Sequence, residues 1–334
     1  MSQREFAGTG LEIRGLTTTF ATSRGTAVAV DAIDLDVRPR EIVGLVGESG
    51  SGKSMTLRSI VRLVREPGKV EGRIYWQGRD VMAMSGSELR KLRGAEIAMI
   101  FQEPMTALNP VLPISLQIEE NLKAHTALDA RARRARAVDL MEIVGIPAAA
   151  RRLEEYPHQF SGGMRQRVMI AIALASSPKL LLADEPTTAL DVTIQDQILK
   201  LILDLRDRFG MSVLFVTHDL GVVAATCDRM AVMYAGRIVE TGSVAQVFAE
   251  PHHPYTRGLL GSVPRIGAER SALLAVEGTP PSLTALPAGC AFHPRCSFAT
   301  ERCRAERPAL EAFTAGRETA CFHHREVAAV AVAA

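Results

Sequence analysis

The sequence predicts an α/β fold, a mostly parallel sheet covered by helices, with smaller additions around it. Three observations carry that prediction. An apolar run, Glu41–Val46, leads through a glycine-rich turn into Met55–Val64, which repeats apolar residues at helical spacing. Strand and helix patterns then alternate with short connections from Met164 to Tyr234. Within that stretch, Leu180–Glu185 reads L-L-L-A-D-E, a buried-type strand ending in two acids.

Composition narrows the class. A chain of 334 residues that is 47% hydrophobic can form one large domain, alone or with a smaller companion. Its 39 basic and 37 acidic residues leave a net charge of +2, which gives no bulk argument for nucleic acid. Five cysteines in this length do not make a disulfide scaffold. The opening M-S-Q-R-E-F-A-G-T-G has no apolar core, so no signal peptide is expected. The apolar runs Leu180–Ala183 and Val168–Ala175 are far shorter than a membrane span. A cytosolic location is expected, with any membrane association made through partners.

In chain order, Leu11–Leu16 and Val28–Val37 read as antiparallel strands with a turn at Ala21–Gly25. Arg38–Glu41 turns into the strand before the glycine-rich loop. Glu71–Trp76 is a further short strand, with a turn at Gln77–Asp80. Ile97–Phe101 is a buried-type strand ending at Gln102. Residues from about Val111 to Ala150 look helical, a helical insertion in the α/β domain. The arginines crowding Arg131–Arg136 fit a solvated helix face, since no aromatic platform accompanies them. A helix over Met164–Ala175, a strand over Leu180–Ala183 and a helix over Thr193–Arg208 follow. Next come a strand over Ser212–Val216, a helix over Leu220–Thr226 and a strand over Arg229–Tyr234. After Gly242 prolines break the pattern into short pieces. A boundary near Thr241–Glu250 divides residues 1–243, with a helical part at about 104–176, from an extension over 244–334.

The turn at 47–54 reads G-E-S-G-S-G-K-S and fits G-x-x-x-x-G-K-[S/T] at every fixed position. Its glycines let successive backbone N–H groups curl around phosphate oxygens, and the helix start adds partial positive charge. Lys53 is placed to reach the β- and γ-phosphates, and the Ser54 hydroxyl to ligate Mg²⁺. Asp184, ending a buried strand, can hold Mg²⁺ through water, and Glu185 can polarise the attacking water as general base. Gln102 and His218 also end strands, where open parallel sheets bind ligands. The Gln102 amide can reach Mg²⁺ or water, and the His218 imidazole the γ-phosphate. Ser161 is a good N-cap, and Gly162 and Gly163 expose the first N–H groups of the following helix. That second anion site serves a second nucleotide or one held by another subunit; alternatively it is only a capped helix start.

The assembled motifs resemble the nucleotide-binding subunits of ATP-binding-cassette transporters. The set is G-E-S-G-S-G-K-S at 47–54, F-Q-E-P at 101–104, F-S-G-G-M-R-Q-R at 160–167, L-L-L-A-D-E-P-T at 180–187, T-A-L-D at 188–191 and V-T-H-D at 216–219. The resemblance implies a cassette-type phosphate-loop NTPase core with an antiparallel β subdomain and a helical subdomain. Two cassettes would meet head to tail around two ATP molecules, with Ser161 and Gly163 on the partner's γ-phosphate and Asp191 in a turn crossing the interface. Catalysis would fall to Glu185, His218 and Lys53. Nucleotide contacts would come from Phe20, which would stack on adenine, and from Gly47, Ser49, Gly50, Ser51, Gly52, Lys53, Ser54, Met55, Gln102, Ser161, Gly162, Gly163, Asp184 and Asp191. Ser54, Gln102 and Asp184 would hold Mg²⁺. Glu103–Pro110 would contact the membrane subunits. Phe160 and Met164 depart from the common signature Leu-Ser-Gly-Gly-Gln without removing Ser161 or the backbone donors.

A narrower resemblance, to the dipeptide/oligopeptide importer branch that includes nickel importers, rests on A-V-M-Y-A-G-R-I-V-E at 231–240, His253–Thr256 and P-P-S-L at 280–283. It implies a second, different cassette, two permeases and an extracytoplasmic binding protein. Nickel uptake, or a soluble ATPase of the same superfamily, are the alternatives; no fused cassette, coiled coil or basic extension favours the latter.

Four cysteines, Cys290, Cys296, Cys303 and Cys321, gather near the end, whereas Cys227 reads as a core or near-surface thiol. Four thiolates suit tetrahedral zinc or a [4Fe–4S] cluster, and a metal could supply folding energy to a tail poor in apolar residues. The arrangement resembles a subset of peptide-importer ATPase subunits that carry an iron–sulfur cluster. That implies a small metal-binding extension; zinc and uncoordinated thiols remain alternatives. His293, His323 and His324 read as exposed polar residues.

Overall fold

A computed structural model describes residues 9–23, 25–102, 107–188, 190–262 and 276–330. They fall into two units, Met1–Val37 with Ile42–Met82 and Thr217–Ala334, and Arg38–Glu41 with Ala83–Val216.

In the first unit Leu11, Ile13 and Leu16 are buried along the strand Leu11–Thr22, whereas Gly15 faces solvent. That strand is central in an antiparallel sheet of order Gly25–Val37, Leu11–Thr22, Gly68–Trp76, Arg79–Asp80. All three longer strands exceed their expected bounds. The turn at Ala21–Gly25 tightens so far that Thr22 pairs with Gly25.

A second run of strands in this unit has the order Glu311–Thr314, Arg317–Thr319, Arg237–Ser243, Arg229–Tyr234, Ile42–Val46. Only the last pair is parallel. Prolines predict a tail in short pieces after Gly242, but the chain re-enters the sheet: Glu240 pairs with Thr319 and Thr241 with Glu318. These strands are short, so no period-2 pattern announces them, and the pairing joins segments some 80 residues apart in sequence. Tyr234, Tyr255 and Phe292 form the aromatic centre of the core here. Tyr234 lies 4.6 Å from Tyr255 and meets Phe292 edge-on at 5.2 Å between ring centroids.

The second unit carries three parallel strands in the order Ser212–Thr217, Leu180–Asp184, Ile97–Ile100. Every residue of Leu180–Asp184 is buried, which explains its unbroken apolar run. The helical block expected at about 111–150 is three helices, Ile114–His125, Ala130–Ile143 and Ala149–Arg152. Asp129 caps the second, accepting from Ala132 N at 2.8 Å. Within the arginine cluster Arg134, partly exposed, pairs with Glu119 of the preceding helix at 3.2 Å and with Glu154. Among the described residues no helix is long and apolar enough to cross a membrane.

Candidate functional site

The phosphate loop closes against its own unit. Gly47 adopts φ 154, and a Cβ there would stand 2.1 Å from the Met233 carbonyl oxygen. Gly52, at φ 105, would collide in the same way with the Ala29 carbonyl at 2.3 Å. Glycine is required at both positions by close backbone approach. Because Gly52 supplies a left-handed cap, the helix begins at Lys53 and runs to Ile60, two residues ahead of the expected start at Met55. Ser51 accepts a hydrogen bond from Gly236 N at 2.9 Å, which anchors the loop to the turn after Tyr234. Lys53 is buried, and its Nζ donates to the carbonyls of Gly47 at 2.7 Å and Glu48 at 2.8 Å. The ammonium is thereby held inside the curl of the loop that contains Ser49, Gly50, Ser51 and Ser54. Phe20 is half-buried, paired across its sheet with Ala27 and Gly68, and its ring underlies Gly68. His218 is exposed, directly after the strand Ser212–Thr217.

The second unit brings Gln102, Asp184 and Glu185 to the ends of adjacent parallel strands. Asp184 is 1% exposed. Glu185 takes φ 46, uncommon outside glycine, and its N–H donates to Val216 O at 3.0 Å. One of its oxygens, Oε2, accepts from Gln102 Nε2 at 3.2 Å and from the Thr188 hydroxyl at 2.8 Å. A kinked backbone and two donors therefore fix the direction of the carboxylate.

Ser161 caps the helix Gly162–Leu174 as expected, accepting from Met164 N at 3.4 Å. Ser161 and Gly162 are exposed. A Cβ on Gly163 would meet Ile194 at 2.7 Å, so the signature helix starts hard against the helix Val192–Phe209. Asp191 caps that helix through Ile194 N at 2.9 Å. Glu103, Pro104, Met105 and Thr106 lie outside the described residues.

The expected metal site needs correction. Among the described residues no group of three or more His, Cys, Asp or Glu side chains is placed to hold a metal ion. The fold does bring Cys290, Cys296, Cys303 and Cys321 to one small cavity of about 10 Å³. Gly289 makes the approach possible: at φ 69 it lies where a Cβ would meet Cys303 O at 2.4 Å, and Cys290 N donates to that same oxygen at 2.8 Å. Burial pushes the Cys296 thiol up to about 11 and the Cys321 thiol up to about 12, so without a cation they pack as neutral groups. Four soft thiols are donors for zinc and for an iron–sulfur group alike. His293 and His323 are half-buried on the same cavity wall, not the exposed residues expected. His293 Nδ1 lies 2.9 Å from Cys290 O and His323 Nε2 3.0 Å from the Thr300 hydroxyl. Half-buried His324 stacks instead near His252 and Phe313. Cys227 does not line this cavity; burial pushes it up to about 12, an inert thiol packed against Gly44.

Sequence reasoning missed two partners of the phosphate loop. The Tyr255 hydroxyl accepts from Glu48 N at 2.8 Å, and Arg295 grips the Glu48 carboxylate beside Tyr234. Nothing in the spacing joins residue 48 to residue 295; the one signal was an arginine directly before a clustered cysteine.

The ABC transporter family description matches residues 30–188, and that of the oligopeptide/dipeptide transporter C-terminal region matches residues 239–303. The oligopeptide transport ATP-binding protein OppD of Salmonella typhimurium is 47% identical over 93% of this chain and 93% of its own length. The oligopeptide transport ATP-binding protein AppD of Bacillus subtilis is 49% identical over 95% of this chain and 97% of its own. A solved dimeric ATP-binding cassette in a post-hydrolysis state, bound to ADP and Pi, superposes with a TM-score of 0.63 at 30% identity, covering 70% of this chain and 98% of that one.

Proposed function

The chain belongs to the ABC transporter family of ATP-binding subunits, in its oligopeptide/dipeptide branch, and on that premise we propose that it hydrolyses ATP to drive peptide import. The observation that carries the reading is Glu185, a strand-end acid aimed by Gln102 and Thr188, in a chain whose phosphate loop holds Lys53 buried.

In this reading the backbone N–H groups of Gly47 and of Ser49 to Ser54 cradle the phosphates, and Lys53 exchanges its carbonyl partners for phosphate oxygens. Met55 follows in the first turn of the helix, and Phe20 stacks on the adenine. Mg²⁺, held by Ser54, Gln102 and Asp184, neutralises charge on the β- and γ-phosphates when bound. Glu185 takes a proton from water as the water oxygen attacks the γ-phosphorus, and the bond to the β-phosphate oxygen breaks. His218 orients the water against the γ-phosphate. Ser161, Gly162 and Gly163 act on the nucleotide of a second cassette, and Asp191 crosses between the two. The exposure of the Ser161–Gly162 cap supports that role.

The partners are a second cassette of different sequence, two permease subunits and an extracytoplasmic peptide-binding protein. Residues 1–243 are the ATPase domain and 244–334 the branch-specific extension. The subunit acts at the cytoplasmic face of the membrane through the permeases. Cys290, Cys296, Cys303 and Cys321 hold a [4Fe–4S] cluster, with zinc the alternative. Such a group supplies a covalently rigid staple to a segment with little apolar core.

The test is ATP hydrolysis by the full complex, purified without oxygen, held in lipid and supplied with binding protein. Strong stimulation by one peptide length class is expected. Stimulation by nickel alone would move the protein to metal uptake, and failure of any membrane subunit to copurify would end the transport reading.

A further inference from the structure

Position 48 of the phosphate loop carries an acid, beside a ligand that is itself a polyanion. Glu48 is not left to face solvent. Arg295 donates to both its oxygens, Nη1 to Oε2 at 2.8 Å and Nη2 to Oε1 at 2.9 Å, a planar fork. The guanidinium is used up: Nε donates to Glu277 O at 2.8 Å, Nη2 to Val276 O at 3.0 Å and Nη1 to the Tyr234 hydroxyl at 3.4 Å. It also lies 5.8 Å from the ring centroids of Tyr234 and Phe292. Its side chain is 5% exposed and that of Glu48 27%. Arg295 is therefore a preset fixture, and Cys296 follows it in the chain. Tyr255, from the same aromatic core, accepts from Glu48 N.

We propose that Arg295 is a positioning residue for ATP: by neutralising Glu48 it keeps the phosphate loop receptive to the triphosphate, making the cysteine-bearing segment a working part of the nucleotide site. The inference rests on the reading that the loop binds ATP. Its sign is specific. Without Arg295, Glu48 is an uncompensated anion next to the triphosphate, and repulsion weakens binding. Without Glu48 there is nothing to neutralise. A pair serving only as a structural staple would lose function from either side.

The experiment is equilibrium binding of Mg-ATP to the full-length protein, with steady-state hydrolysis alongside. Arg295→Met is expected to weaken binding about tenfold and to raise KM far more than it lowers kcat. Adding Glu48→Gln to that variant should restore binding to within about threefold of wild type, and the Arg295→Met defect should shrink as salt rises. Glu48→Gln alone should retain affinity, which tests the idea even where Arg295→Met does not fold. Unchanged affinity in a folded Arg295→Met protein, no rescue in the double variant, or a tenfold loss in Glu48→Gln alone would each overturn the inference. A wild type that binds no ATP overturns the ATP reading and this inference with it.

Discussion

Gln102 Nε2 donates to Glu185 Oε2 across 3.2 Å, on the same oxygen that the Thr188 hydroxyl reaches at 2.8 Å. The contact joins the ends of two neighbouring parallel strands, and it orients the carboxylate proposed as general base. Glu185→Gln keeps the shape and an acceptor oxygen but cannot take a proton. It is expected to lower kcat by at least about 10²-fold while Mg-ATP affinity stays within about threefold. Single-turnover hydrolysis and equilibrium binding on one preparation measure both quantities; hydrolysis persisting near the wild-type rate removes Glu185 as the base.

The phosphate loop makes a contrast between two of its own glycines. Gly47→Ala drives a methyl group into the Met233 carbonyl, 2.1 Å away, and should cost about 2–4 kcal/mol of stability. Gly50, at φ 78, has nothing within 4 Å of a built Cβ, so Gly50→Ala should cost only the left-handed backbone term, about 1–2 kcal/mol. Urea denaturation of the two variants ranks them; equal losses would show that the Met233 wall yields.

Glu240 is fully buried, and burial raises its carboxyl to about 7 against the pull of the His252 and His253 N–H groups, Thr256 and Arg317. A folded-state value above the ordinary 4.5 means that the folded protein holds this proton more tightly. The resulting stabilisation is complete below pH 4.5 and is lost as pH rises through 7. The stability difference between wild type and Glu240→Gln should therefore shift against wild type over that window, by up to about 1.4 kcal/mol per pH unit. Denaturation at pH 5 and pH 8 reads the shift; a constant difference would mean that the carboxyl titrates alike in both states.

The cluster proposed at Cys290, Cys296, Cys303 and Cys321 is tested by composition. Protein purified without oxygen should contain about four iron atoms and matching acid-labile sulfide per chain. Cys303→Ser should lose them and lower the melting temperature of the C-terminal part, whereas Cys227→Ser should keep them. One equivalent of zinc without sulfide would replace the cluster by the single-ion alternative, and a metal-free native protein would leave four packed thiols.

Much of this protein was legible because its chemistry is local. Gly47–Ser54, Asp184–Glu185 and Ser161–Gly163 are contiguous, so residue type and spacing alone display them. Apolar runs likewise announced the strands expected at Leu180–Ala183 and Ser212–Val216, because parallel strands buried on both faces are nearly continuous in apolar residues. What the sequence determined by itself was therefore the nucleotide machinery and the order of its parts.

The tertiary structure decided what depends on distant residues meeting. No periodicity pairs Glu240 with Thr319, since two short strands carry too few residues to show a period. No spacing places Gln102 on Glu185, or Arg295 on Glu48 across 247 positions. Half-burial of His293 and His323 also follows from the chain closing around the cysteines. Contacts of this kind are fixed by packing of the whole unit and are not encoded in any window of neighbouring residues. They are also the contacts that hold Glu185 in its direction and bring Arg295 to the phosphate loop.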